Sequence, residues 1–140
     1  MTDDQFVDLL RRTRHDFDNH LQVISGYLDL AKLEEAQKYL AQVVTELATE
    51  RIIFESCSGE AALYFYDQMI RARDAGIAIK YNRLQVDNIN YLQTHDEPLN
   101  SLKEAAARYN NQEDILKVNV SVIEEENGSL IVDVAVEDTE

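Results

Sequence analysis

At 140 residues with 45% apolar side chains, the chain is no disordered tail; it can bury one ordinary core or divide into two small units. A formal net charge of −14 repels nucleic acid and anionic membranes, and no basic stripe is long enough to reverse that. No apolar run approaches the roughly 20 residues of a spanning helix, and the opening Met1-Thr2-Asp3-Asp4-Gln5 is acidic where a secretory leader is basic, so a soluble cytoplasmic protein is expected. The single cysteine, Cys57, excludes an intramolecular disulfide and a thiolate metal cluster.

From an N-cap at Thr2 or Asp3, the residues Phe6, Leu10, Thr13, Phe17, Leu21, Ile24, Leu28 and Ala31 recur at spacings of three and four. The spacing predicts one amphipathic helix over residues 3–32, with a narrow stripe suited to a bundle seam. Leu33-Glu34-Glu35-Ala36 reads as a tight turn without glycine or proline, and a second helix follows to Ser56 with Ala36, Leu40, Val43, Leu47 and Phe54 on its stripe. Two helices cannot enclose a core in water, so the hairpin is expected to pair with a second copy as a four-helix bundle.

Ser58-Gly59 marks the expected boundary between residues 1–57, a helical hairpin, and residues 58–140, a small α+β unit. In that unit a third helix is predicted over 61–75, with Leu63, Tyr66, Ile70 and Arg73 on one face and Gly76 closing it. A strand follows over 77–81, then a loop from 82 to 96 with an extended piece at 89–92. Pro98 opens a fourth helix over 97–110 carrying Leu99, Leu102, Ala106 and Tyr109 on one side, and strands at 115–123 and 130–136 flank Asn127-Gly128, a hairpin signal.

Helical geometry separates two histidines of the first helix. Measured from Phe17, His15 lies about 160° round the axis and points to solvent, whereas His20 lies about 60° away and borders the stripe. The outward face around His15 collects Asp8, Arg11, Arg12, Asn19, Gln22 and Gly26, with Arg14 adjacent in sequence. An exposed imidazole can serve as nucleophile, base or ligand near neutral pH, and Asp16 could orient its ring; an ordinary solvated surface histidine fits the same pattern. The arginines offer either a solvated face or a dock for an acidic partner. His15 and His20 stand about 140° apart, poor geometry for one metal, and no Gly-x-Ser-x-Gly elbow supports a serine triad.

The run Arg14-His15-Asp16-Phe17-x-Asn19-x-Leu21-Gln22-Val23-Ile24-x-Gly26-Tyr27-Leu28 resembles the phosphoacceptor helix of the sporulation initiation phosphotransferase B family and of the related citrate- and dicarboxylate-sensing histidine kinases. The resemblance implies a phosphoaccepting His15, with Asp16 and Asn19 completing the catalytic group and Arg11, Arg12, Arg14, Gln22 and Gly26 forming a docking face for response-regulator receiver domains. It further implies a homodimeric four-helix bundle, no cofactor or metal of its own, and Mg²⁺ supplied by the receiver. Residues 61–77 look like the first helix and strand of a kinase ATP-binding domain, but the helix bearing Asn100 lacks the usual asparagine box. With only four glycines, at positions 26, 59, 76 and 128, the chain offers no glycine-rich phosphate loop, and Val136-Glu137-Asp138 resembles a remnant of the nucleotide-binding aspartate segment. A degenerate ATPase-like unit is therefore expected, and an ATP-independent histidine phosphotransferase in a phosphorelay. Two rivals are a non-catalytic module that binds a receiver domain or inhibits a histidine kinase, and a kinase fragment dependent on ATP domains supplied in trans.

Overall fold

The computed structural model describes residues 1–108 and 115–137. Eight elements follow one another: α1 (Asp3–Asp29), α2 (Leu33–Ser56), α3 (Gly59–Asp74), β1 (Ile77–Gln85), α4 (Asn90–His95), α5 (Leu99–Arg108), β2 (Leu116–Glu124) and β3 (Leu130–Val136). The fold is α+β, an N-terminal helical hairpin followed by a three-stranded sheet with helices. Two compact units divide the chain at Met1–Ala48 and Thr49–Glu140, so the last turns of α2 belong to the second unit. Among the described residues no helix is long and apolar enough to cross a membrane.

In the first unit, Thr2 caps α1 through a capping box: Gln5 N–H donates to Thr2 Oγ1 (3.1 Å) and Thr2 N–H donates to Gln5 Oε1 (2.9 Å). The helix stops at Asp29, three residues before the expected end, and the turn occupies 30–32 rather than 33–36. Its geometry is a Schellman motif, in which Lys32 N–H donates to Tyr27 O (2.8 Å) and Ala31 N–H to Leu28 O (3.0 Å). Such a motif needs a left-handed residue, and here Ala31 takes that place at φ 58° where glycine is usual. The boundary was hidden because the sequence lacks the glycine that marks it.

The predicted α1 stripe is continuous but uncovered within the chain: Leu10, Phe17, Leu21 and Leu28 are each about half exposed, as are Leu40, Val44 and Leu47 of α2. The shielded side lies next to it, where Leu9 is buried and Asp16, His20 and Tyr27 are half-buried, along with Thr13 and Ile24 of the stripe itself.

In the second unit, β1 pairs parallel with β2, and β2 pairs antiparallel with β3. Parallel neighbours need a crossover, which α4 and α5 supply. β1 runs four residues beyond its predicted end at Tyr81. A register shift between Tyr81 and Arg83 moves the inward side chains from Ile77, Ile79 and Tyr81 to Leu84, which breaks the alternation that identifies a strand. The residues read as a loop with an extended piece at 89–92 instead form α4, with Ile89 and Leu92 buried at a helical spacing of three. The predicted helix 97–110 is seen as Leu99–Arg108; Tyr109 lies outside the described residues.

Ser58 caps α3, and Gly76 at φ 81° ends it as expected. The buried face of α3 differs from the predicted one: Ala61, Phe65, Gln68, Met69 and Ala72 face inward with Ile70, whereas Leu63 and Tyr66 are half-buried and Arg73 is exposed and paired with Glu50 (3.5 Å). The β2–β3 turn closes with Gly128 N–H donating to Glu125 O (2.9 Å), and Gly128 adopts φ 87°.

A polar network ties α4 and α5 to α3. Gln68, 0% exposed, donates from Nε2 to Asp96 Oδ1 (2.7 Å) and accepts from Leu99 N–H at Oε1 (2.9 Å). Arg71 grips Asp96 in a two-point contact (2.8 and 2.9 Å), and Tyr64 Oη lies 2.7 Å from Leu92 O and 2.5 Å from Glu97 O, with one proton to give. The Arg71 hydrogen bonds hold the Asp96 carboxyl below the usual carboxylate range, while burial pushes the Tyr64 phenol up.

Two outcomes follow for stability. Ala31→Gly relieves the left-handed strain and should raise urea-measured stability by about 1 kcal/mol, whereas a glycine in a helix interior would lower it. Asp96→Ala strands the Gln68 amide and should cost roughly 1–3 kcal/mol at about pH 7. Because the folded carboxyl is depressed, its contribution is present above the ordinary carboxylate value and lost as pH falls through the lower folded one; the gap between wild type and variant should narrow near pH 3, as urea titrations at the two pH values will read.

Candidate functional site

The site is built almost wholly by the helical repeat of α1. Residues one turn apart stack on one face, so His15 and Asn19 meet, and Arg12 and Asp16 meet on the neighbouring line. The His15 side chain is 70% exposed. Its Nδ1 lies 3.5 Å from Asn19 Nδ2 and 3.7 Å from Asp16 Oδ1, and Arg12 Nε lies 3.3 Å from that same carboxylate oxygen. Asp16 is half-buried beside the exposed ring. The predicted trio of His15, Asp16 and Asn19 is thus brought together, with Arg12 as a support of Asp16.

The residues expected to form a docking face divide. Arg11 pairs with Asp8 (3.0 Å) and Gln22 Nε2 donates to Asp18 Oδ2 (2.8 Å), so both are held along the exposed helix surface. Gly26 continues the His15 face, and a Cβ added there would meet nothing within 4 Å. Arg14 makes no hydrogen bond or ion pair with any described residue. At 100° per residue it stands about 60° from Phe17 and about 100° from His15, on the margin of the apolar stripe rather than on the His15 line. Of the three clustered arginines, Arg14 is therefore the one with no ion pair to a carboxylate among the described residues.

His20 has a different environment, its side chain only 28% exposed. Nδ1 lies 2.6 Å from the Tyr39 hydroxyl on α2, and Nε2 lies 3.9 Å from Glu46 Oε2. Tyr39 also faces Tyr27, with ring centroids 6.4 Å apart. Sequence reasoning placed His20 on the stripe's border but did not single out Tyr39, which flanks the α2 stripe three residues after Ala36 and four before Val43; which α1 side chains it meets is set by how the helices pack.

In the second unit, Asn100 Nδ2 donates to His95 O (2.8 Å), so this asparagine's amide closes backbone around the start of α5. Asp138, the proposed remnant of the nucleotide-binding segment, lies outside the described residues. Among the described residues no group of three or more His, Cys, Asp or Glu side chains is placed to hold a metal ion.

Residues 2–56 match the model of the family described as "Sensor kinase SpoOB-type, alpha-helical domain", a match that covers α1 and α2 and ends with the latter. The hairpin is thus similar to that helical domain, a likeness to the sensor-kinase and phosphotransfer modules of two-component signalling that covers less than half of the chain. No curated protein matches the chain.

Proposed function

We propose, on the premise that residues 2–56 form a SpoOB-type helical domain, that the protein is a histidine phosphotransferase that exchanges phosphoryl groups with receiver-domain aspartates through His15. The observation that carries this reading is the exposed imidazole whose Nδ1 faces Asp16 and Asn19. With Nδ1 as the nitrogen turned toward the helix, Nε2 is the nucleophile. Its lone pair attacks the phosphorus of an aspartyl phosphate; the N–P bond forms as the P–O bond to the aspartate breaks, and the aspartate leaves as a carboxylate. The proton stays on Nδ1, where the Asp16 carboxylate favours the charge and the Asn19 amide, turned to present its oxygen, can accept it.

Phosphoryl transfer depends mainly on alignment and charge neutralisation, and a receiver domain that brings its own Mg²⁺ supplies most of the latter. This chain supplies alignment. Arg14 offers an unneutralised cation to an acidic receiver pocket, Arg11 and Gln22 line the approach, Arg12 steadies Asp16, and the bare backbone at Gly26 lets a partner loop come close. The half-exposed stripe of Leu10, Phe17, Leu21 and Leu28 supports a homodimer in which two hairpins complete a four-helix bundle. Residues 1–57 are then the working module, and residues 58–140 an ATPase-like unit that does not use ATP. Receiver domains place the exchange in the cytoplasm.

The test is to incubate the protein with a receiver domain already phosphorylated on aspartate, with Mg²⁺ and without ATP, and to follow acid-labile, alkali-stable label. Wild type should acquire it and His15→Gln should not. Asn19→Ala should acquire it roughly five- to tenfold more slowly, the effect of one lost hydrogen bond of about 1 kcal/mol. A wild type that stays unlabelled across a panel of receivers contradicts phosphotransfer; label on His15→Gln contradicts the site; label taken directly from ATP contradicts the relay.

A further inference from the structure

We infer that His20 is a positioning residue which, together with Tyr39, fixes the rotation of the phosphoacceptor helix against its hairpin partner. The role presupposes the phosphotransfer reading of His15. His20 Nδ1 and the Tyr39 hydroxyl meet at 2.6 Å across the two helices, in a half-buried contact between residues 19 apart in the chain. The same imidazole presents Nε2 to Glu46 at 3.9 Å, and Glu46 lies seven residues beyond Tyr39. His20 therefore spans about two turns of α2. Tyr39 does the converse, its ring facing both His20 (centroids 5.6 Å) and Tyr27 (6.4 Å), which lie seven residues apart on α1.

Contacts of this kind resist the two motions that an otherwise apolar helix pair permits. A slide of α1 by one turn moves each polar group about 5 Å from its partner, and a rotation about the α1 axis carries His20 away from α2. Apolar side chains tolerate such shifts because their attraction has no direction; a hydrogen bond does not. His15 and His20 are rigidly related through one helix, about 140° apart, so holding His20 against α2 sets the direction in which His15 faces solvent. The bond also keeps the second imidazole, only five residues from the nucleophile, occupied at Nδ1.

The test uses the full chain in the receiver-to-protein transfer assay at saturating and limiting donor. Tyr39→Phe removes only the hydroxyl, His20→Leu removes the ring nitrogens, and His20→Asn keeps a hydrogen-bonding group near the position of Nδ1. Tyr39→Phe and His20→Leu should each slow the saturating rate roughly three- to tenfold, less than the hundredfold that a misplacement of about 1 Å can cost, with half-saturation unchanged. The double variant should be no slower than the worse single one, because both remove the same bond. His20→Asn should recover to within about twofold of wild type, and Tyr39→Phe should cancel that recovery. Transfer at the wild-type rate in Tyr39→Phe and His20→Leu, or His20→Asn as slow as His20→Leu, overturns the positioning role alone. An unlabelled wild type overturns the phosphotransfer reading and this role with it.

Discussion

Two helices side by side have too little shared surface to hide the apolar residues that drive them together. That constraint governs the N-terminal unit. Leu9, Ala36 and Val43 are buried within the chain, yet Phe17 remains 50% and Leu21 52% exposed, on the same helix and in the same stripe. Full burial of each such side chain is worth roughly 1.5–3 kcal/mol, so the stripe holds more stabilisation than a capping box or a helix-surface ion pair can offer. The second hairpin proposed above would give this energy a use and turn the opposite face, with His15, toward whatever approaches from solvent.

The polar groups of the first unit sort by this division. On the outward face they pair within α1, as Arg11 does with Asp8 and Gln22 with Asp18. Such pairs lie in water and stabilise little, but they hold long side chains in defined places beside the imidazole. On the inward flank, His20 and Tyr39 join the two helices. The second unit follows a different plan, in which one face of β1 and β2, with Val118, Val120 and Val122, is buried while β3 stays largely exposed, and the Gln68–Arg71–Asp96 network anchors the crossover to α3.

What was legible in the sequence was what depends on near neighbours. His15, Asp16 and Asn19 come together because a helix brings i, i+1 and i+4 onto adjacent lines, so their meeting could be read before any tertiary structure, while the catalytic role proposed for them came from the family resemblance alone. Gly76 and Gly128 announced the end of α3 and the β2–β3 turn by their freedom at positive φ. The misses share a different cause. Ala31 and Asp96 adopt left-handed conformations without the glycine that signals them, and tertiary or capping hydrogen bonds hold them there. The bulge after Tyr81 erased the period of β1, and a short apolar pair at Ile89 and Leu92 fits strand or helix equally well. Tyr39 could not be matched to His20 from one sequence, because that contact depends on how two helices pack.

On the proposed reading, the exposed stripe belongs to a contact between two copies of this chain. Sedimentation equilibrium at micromolar concentration measures it most directly, on the wild type and on a Phe17→Asp, Leu21→Asp variant. The wild type should sediment as a dimer of the 16.1 kDa chain and the variant should lose that association. A wild-type monomer that keeps its helical content would rule out a second copy as the cover of the stripe.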